Sequence, residues 1–165
     1  MVKLTIDGIQ VEAEKGTSIL HAAESVGIEV PTLCYIKDLL PDGSCRMCMV
    51  EIESRGRTKM ETACTAQVAE GLVVTTNSEK VRNARRNILD MLLSNHKTDC
   101  FSCPSNGDCK LQELCFEYGI ERTTYSGEQT ELPIDDSNKF FTYNPNLCIL
   151  CHRCVNTCHK IVGRG

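Results

Sequence analysis

An α+β fold is the expectation for this 165-residue chain, and three observations carry it. The first thirteen residues alternate apolar and polar side chains through a two-residue turn signal, the pattern of a hairpin with one buried face. Short stretches of helical periodicity follow, each with its own start and stop residues. Twelve cysteines fall largely in tight groups in a chain with no Trp, four Phe and four Tyr, so metal centres held by those groups are expected to do structural work that a larger core would otherwise do.

Val2 to Ile6 and Ile9 to Ala13 alternate on either side of Asp7-Gly8, a dipeptide suited to a tight hairpin turn. After Lys15-Gly16, Thr17 or Ser18 can cap a helix through Ile19, Leu20, Ala22, Ala23 and Val26. Gly27 supplies its stop, and Pro31 prevents its continuation. Met49 to Glu53 and Leu72 to Thr76 read as further strands, and the first α+β unit is expected to end near Asn77. Ser78 can cap a second helix in which Val81, Ala84, Ile88, Leu89, Leu92 and Leu93 form an apolar face. A shorter helix is expected from Lys110 to Tyr118, stopped by Gly119. Thr123 to Tyr143, with Gly127, Pro133 and Asp135-Asp136, reads as a connecting segment. The expected division is therefore 1–77, 78–122 and 123–165.

Eleven of the twelve cysteines, with one histidine, sort into three sets. Cys34, Cys45, Cys48 and Cys64 are spaced C-x10-C-x2-C-x15-C. Four thiolates suit a two-iron cluster, and a loop carrying two of them three residues apart can turn backbone N–H groups toward the sulfurs. Gly43 and Ser44 suit that tight approach. His96, Cys100, Cys103 and Cys109 follow H-x3-C-x2-C-x5-C, with the histidine about one turn before the first cysteine. Cys148, Cys151, Cys154 and Cys158 form the C-x2-C-x2-C-x3-C run of bacterial ferredoxins, whose last cysteine serves a second cluster. The second run that such a fold needs is absent, so this set is incomplete as it stands. His152 and His159 replace the Gly and Pro expected there. Cys115 is left over, and its neighbours Leu111, Leu114 and Phe116 favour a buried thiol. His21 reads as a structural or surface helix residue.

Composition excludes several classes. The N-terminus has no basic region followed by an apolar stretch and cleavage site, which points to a reducing, cytoplasmic setting. Cysteine makes up about 7% of the chain, below the level of small secreted disulfide scaffolds. No apolar run approaches the length of a membrane span. A formal net charge of −4 disfavours nucleic acid, and Arg82, Arg85 and Arg86 read as a solvated helix face. No dinucleotide fingerprint, P-loop or catalytic set is present. Removal of the iron is expected to unfold much of the protein.

Around Gly43-Ser44-Cys45-Arg46-Met47-Cys48 the chain resembles the N-terminal iron-sulfur region shared by NAD-linked formate dehydrogenases, [FeFe]-hydrogenases and the large iron-sulfur subunit of respiratory complex I. The run from Asp99-Cys100-Phe101-Ser102-Cys103 through Cys109-Lys110-Leu111-Gln112 resembles that family's four-iron site with one histidine and three cysteine ligands. The resemblance covers about residues 1 to 160. It implies a β-grasp, ferredoxin-like domain binding a 2Fe-2S cluster, then a small helical 4Fe-4S domain, then a partial bacterial-ferredoxin-like segment. The last gap of the first set is a little longer than usual, so Ser54-Arg55-Gly56-Arg57 reads as a small hairpin insertion. The family also implies an electron relay between a flavin-containing, NAD(P)H-oxidising subunit and a separate catalytic site. The segment from Phe140-Phe141 through Cys151 is slightly closer to formate dehydrogenases than to [FeFe]-hydrogenases, with complex I third. Two readings from other classes stay open: a zinc-binding interaction module built on the Cys-x2-Cys pairs, and a redox-sensing regulator.

Overall fold

A computed structural model describes residues 1–125 and 131–164. Gly127 of the expected connecting segment lies outside the described residues. The chain divides into two compact units, Met1–Arg85 with His152–Gly165, and Arg86–Cys151. The division falls within a helix, between Arg85 and Arg86.

The first unit is built on a five-stranded mixed sheet, which makes the protein α+β. The hairpin of β1 (Val2–Ile6) and β2 (Ile9–Ala13) runs in the register Val2 opposite Ala13 and Ile6 opposite Ile9. Asp7 and Gly8 both take positive φ, as a two-residue turn matched to strand twist requires. The strand order is β2-β1-β5-β3-β4, where β3 is Met49–Ser54, β4 is Arg57–Thr62 and β5 is Val73–Thr75. β5 lies parallel to β1 and antiparallel to β3. The β3–β4 turn falls at Arg55 and Gly56, where the small hairpin insertion was expected, and both residues again have positive φ. β4 itself is a strand the sequence does not announce. Its sequence, RTKMET, is mostly polar because it is the outer strand, and burial deepens only toward Thr62.

Alternation places Leu4, Ile6, Val11, Ala13, Val50, Ile52 and Val74 in one core. The helix α1 (Ile19–Glu24) adds Ile19, Leu20, Ala22 and Ala23 to it. Full burial of a side chain such as Leu20 stabilises by roughly 1.5–3 kcal/mol. Ser18 is the cap: its Oγ accepts from the backbone N–H of His21 at 3.2 Å. The exposed N–H groups of the first turn are met from across the unit. Ile19 donates to the Ala66 carbonyl at 2.8 Å and Leu20 to the Ala63 carbonyl at 2.9 Å. Those bonds tie the segment carrying Cys64 to the helix.

The helix α2 (Glu79–Ser94) starts where Ser78 was expected to cap it, with Val81 N–H donating to Ser78 Oγ at 3.2 Å. Arg85 departs from the expected solvated face. It is 3% exposed, in the i, i+4 stripe of Val81, Leu89 and Leu93, and its Nη2 donates to the Met49 carbonyl at 2.8 Å. Helical phase overrides charge there, because the guanidinium finds a carbonyl acceptor in place of water.

In the second unit, α3 (Lys110–Glu117) ends as expected at Gly119, whose φ is +66°. Gly119 N–H donates to the Phe116 carbonyl at 3.1 Å and Ile120 N–H to the Cys115 carbonyl at 2.8 Å, a Schellman closure. Asp90 binds the chain downstream of α3 through the Thr123 hydroxyl at 2.7 Å and Thr124 N–H at 2.9 Å. Farther on, Asp135 and Tyr143 exchange backbone hydrogen bonds at 2.9 and 2.8 Å, so part of the connecting segment closes on itself. In the first unit α4 (Arg153–Thr157) continues into a π-helical turn, Cys158–Val162. No helix among the described residues is long and apolar enough to cross a membrane.

Candidate iron-sulfur centres

The first cysteine set is gathered by the sheet. Cys48 ends the loop that enters β3, Cys64 follows β4, and both belong to the hydrophobic core. Cys34, Cys48 and Cys64 are 4%, 1% and 2% exposed, and Cys45 is half-buried. Ala63 N–H donates to the Cys48 carbonyl at 2.9 Å, which holds the two cysteine-bearing segments side by side. Arg46 takes a left-handed φ of 60°, and the loop then turns Met47 N–H toward Cys45 Sγ at 3.5 Å. Cys34 N–H points at the same sulfur at 3.4 Å. Gly43 sits in a close approach: a Cβ there would meet Thr62 Oγ1 and Thr65 Cγ2 at 3.3 Å.

Hydrogen bonding between thiols divides this set into two pairs. The hydrogen bond from Cys34 lowers Cys45 to about 6, with the N–H groups of Met47 and Cys34 adding to it against the cost of burial. Cys34, as the proton holder, is raised by the same bond and by burial. Cys64 likewise lowers Cys48 to about 7 and is itself raised. Three buried thiols and one half-buried, with thiolate character on the loop pair and N–H donors aimed at sulfur, fit a two-iron cluster. The N–H groups turned to Cys45 are of the kind the loop spacing led us to expect, whereas the Thr62 and Thr65 hydroxyls, 2.5 Å apart beside Gly43, have no signal in the sequence. Near this set, His21 Nε2 lies 2.5 Å from the Tyr35 hydroxyl.

The second set lies between α2 and α3. The last turn of α2 tightens, and His96 N–H bonds the Leu93 carbonyl at 3.2 Å. Cys100–Ser102 is a 3-10 turn, and Cys109 is the N-cap residue of α3. The loop between Cys103 and Cys109 is braced by Gln112, whose Oε1 accepts from Gly107 N–H at 3.0 Å and whose Nε2 donates to Asn106 Oδ1 at 2.9 Å. His96, Cys100 and Cys109 line one cavity of about 390 Å³, with Leu93, Cys115 and Phe116 among its other walls. Burial pushes the His96 imidazole below its ordinary value, against a hydrogen bond from the ring to the Cys148 backbone carbonyl. That favours the neutral ring, the form that ligates metal. Cys115 is raised to about 11, first by burial and then by Cys109 and Cys100.

The third set is not gathered within one unit: Cys148 and Cys151 fall in the second, Cys154 and Cys158 in the first. Locally its first loop resembles that of Cys45. Leu150 N–H turns to Cys148 Sγ at 3.4 Å, and Leu150 has a φ of 53°. Among the described residues, no three His, Cys, Asp or Glu side chains are drawn together tightly enough to hold a single metal ion.

A ferredoxin-like sheet with Cys48 and Cys64 in its core and Cys34 and Cys45 beside them, followed by a helical His/Cys region, has the architecture of an iron-sulfur protein. Comparison with known proteins narrows the class. Residues 1–79 match the 2Fe-2S iron-sulfur cluster binding domain family, and residues 85–124 match the NADH-ubiquinone oxidoreductase-G iron-sulfur binding region. The chain is 42% identical over 165 residues to one of the subunits of the NADH-quinone oxidoreductase of Rhizobium meliloti, covering 99% of this chain and 19% of that one. It is 42% identical over 163 residues to NADPH-Fe(3+) oxidoreductase subunit alpha of Geobacter sulfurreducens, again 99% and 19%. The crystal structure of an NAD+-reducing [NiFe]-hydrogenase in the H2-reduced state superposes with a TM-score of 0.85 at 32% identity, over 95% of this chain and 65% of that chain. The chain carries the N-terminal iron-sulfur region of this family, with a 2Fe-2S and a 4Fe-4S binding domain. It spans about a fifth of the length of the curated relatives it matches.

Proposed function

We propose that this chain is an electron relay, taking single electrons from a flavin-containing, NAD(P)H-oxidising partner and passing them to a separate catalytic site. The observation that carries the reading is the convergence of Cys34 and Cys45 on the core residues Cys48 and Cys64, with two backbone N–H groups aimed at Cys45 Sγ. These four residues hold the two-iron cluster; His96, Cys100, Cys103 and Cys109 hold a four-iron cluster. Cys148, Cys151, Cys154 and Cys158 contribute to a further four-iron site completed by ligands from elsewhere. When bound, such clusters accept and release one electron at a time. The protein's own contribution is to bury the sulfurs, exclude water from them and direct N–H groups that favour added negative charge. The functional segments are 1–77, 78–122 and 123–165, and the setting is cytoplasmic.

The catalytic destination is a formate dehydrogenase, on the resemblance of the Phe140 to Cys151 segment, with a hydrogenase as the second reading. The similarity to the NAD+-reducing hydrogenase structure favours that second reading. The test is anaerobic purification, iron and sulfide analysis, and EPR of the dithionite-reduced chain. A two-iron signal beside one or two four-iron signals is expected, and NADH with a flavin subunit should reduce them. A colourless, zinc-loaded, EPR-silent protein would sink the relay and favour a zinc module.

A further inference from the structure

The cavity bounded by His96, Cys100 and Cys109 has a fourth ligand-type group on its wall. Cys115 lies on α3, 8% exposed, and lines the same space of about 390 Å³. Its position is set from both ends of the helix. Cys109 stands at the N-cap position, where its carbonyl accepts from Glu113 N–H at 3.0 Å, and the Cys115 carbonyl receives Ile120 N–H at 2.8 Å in the Schellman closure. Nothing about the packing of an apolar helix face requires sulfur at this position; a small apolar residue would fill the same place.

Resting on the four-iron reading above, we propose that Cys115 is a reserve ligand of that cluster, able to take the iron that His96 holds when the imidazole is lost. In the exchange the thiol releases its proton to solvent and a sulfur–iron bond forms at the iron the nitrogen has left. No electron changes hands. The exchanged cluster carries one more negative ligand, so its potential falls relative to the histidine form.

The test uses the full 165-residue chain as wild type, H96A, C115A, H96A/C115A and H96A/C115V. Each is reconstituted anaerobically with ferrous iron and sulfide. H96A is expected to keep a four-iron EPR signal with a midpoint potential below that of the wild type, and C115A to keep the wild-type signal. Both double variants should lose the signal by about tenfold or more. H96A/C115V preserves the volume of the side chain, and the two-iron signal of each variant reports that the first unit has folded. An H96A chain as blank as the doubles, with the wild type intact, overturns the reserve ligand alone. Doubles that keep the signal as well as H96A overturn it too. A wild type without any four-iron signal removes the four-iron assignment itself and this proposal with it.

Discussion

The two cysteine regions differ in what holds them. Cys48 and Cys64 are part of a sheet core with Cys34 buried beside them, Gly43 passes close to Thr62 and Thr65, and the Ala63 N–H bond to the Cys48 carbonyl ties the loop to β4. Around Cys100, Cys103 and Cys109 the cysteines are only half-buried, Phe101 stands in solvent, and the supports are single turns braced by the Gln112 and Asp99 side chains. The first centre is therefore prepared by the fold. The second is a cavity whose order depends far more on what fills it.

Removing iron is the sharpest way to break that contrast. After anaerobic chelation, amide exchange in 95–125 is expected to accelerate by orders of magnitude, while β1, β3 and β5 stay protected by their own core. Equal loss of protection in the sheet would erase the distinction. Core truncation separates the regions next. L20A is expected to cost about 2–5 kcal/mol with or without iron. L111A should show a comparable cost only when iron is bound, as read by urea denaturation of both forms.

Two glycines, each two residues ahead of a cysteine, sharpen the comparison further. Gly43 and Gly107 both have positive φ, +66° and +82°. G43A adds a tight contact with Thr62 and Thr65 to the backbone strain, whereas a Cβ at Gly107 meets nothing within 4 Å. Strain alone costs about 1–2 kcal/mol. G43A should therefore cost more than G107A and lower two-iron occupancy, measured by the reduced EPR signal per chain.

The smallest effect concerns Asp42, at the entry to the first loop. Asn156 Nδ2 donates to its carboxylate at 3.0 Å, and this bond is the main cause that holds Asp42 below its ordinary value of 3.8. A depressed carboxylate contributes stability that is present above its ordinary value and lost as pH falls through the folded one. N156A should raise the Asp42 titration toward 3.8, as followed by its carboxyl NMR resonance in iron-free protein. An unmoved titration would show that the Ser44 bonds dominate.

Much of this was legible along the chain because the signals are local. Asp7-Gly8 between alternating runs, Ser18 and Ser78 before helical periods, and Gly119 after one are short-range constraints on φ and on unsatisfied N–H groups. β4 was not legible, since an outer strand needs no apolar alternation and its pairing is decided by β3 across the turn. Arg85 was misread because three arginines in one turn look solvated until the helix is seen to bury the Val81 face.

Ligand spacing belongs to the sequence: eleven of the twelve cysteines, with His96, stand at intervals that suit iron-sulfur clusters, because sulfur count and loop length set which clusters can be wrapped. Depth and neighbourhood belong to the tertiary structure. Cys34 and Cys45 are brought to Cys48 and Cys64 by a sheet whose order, β2-β1-β5-β3-β4, no local pattern specifies. Cys115 joins the wall of the His96 cavity only because α3 turns that face inward, a matter of helix phase and packing.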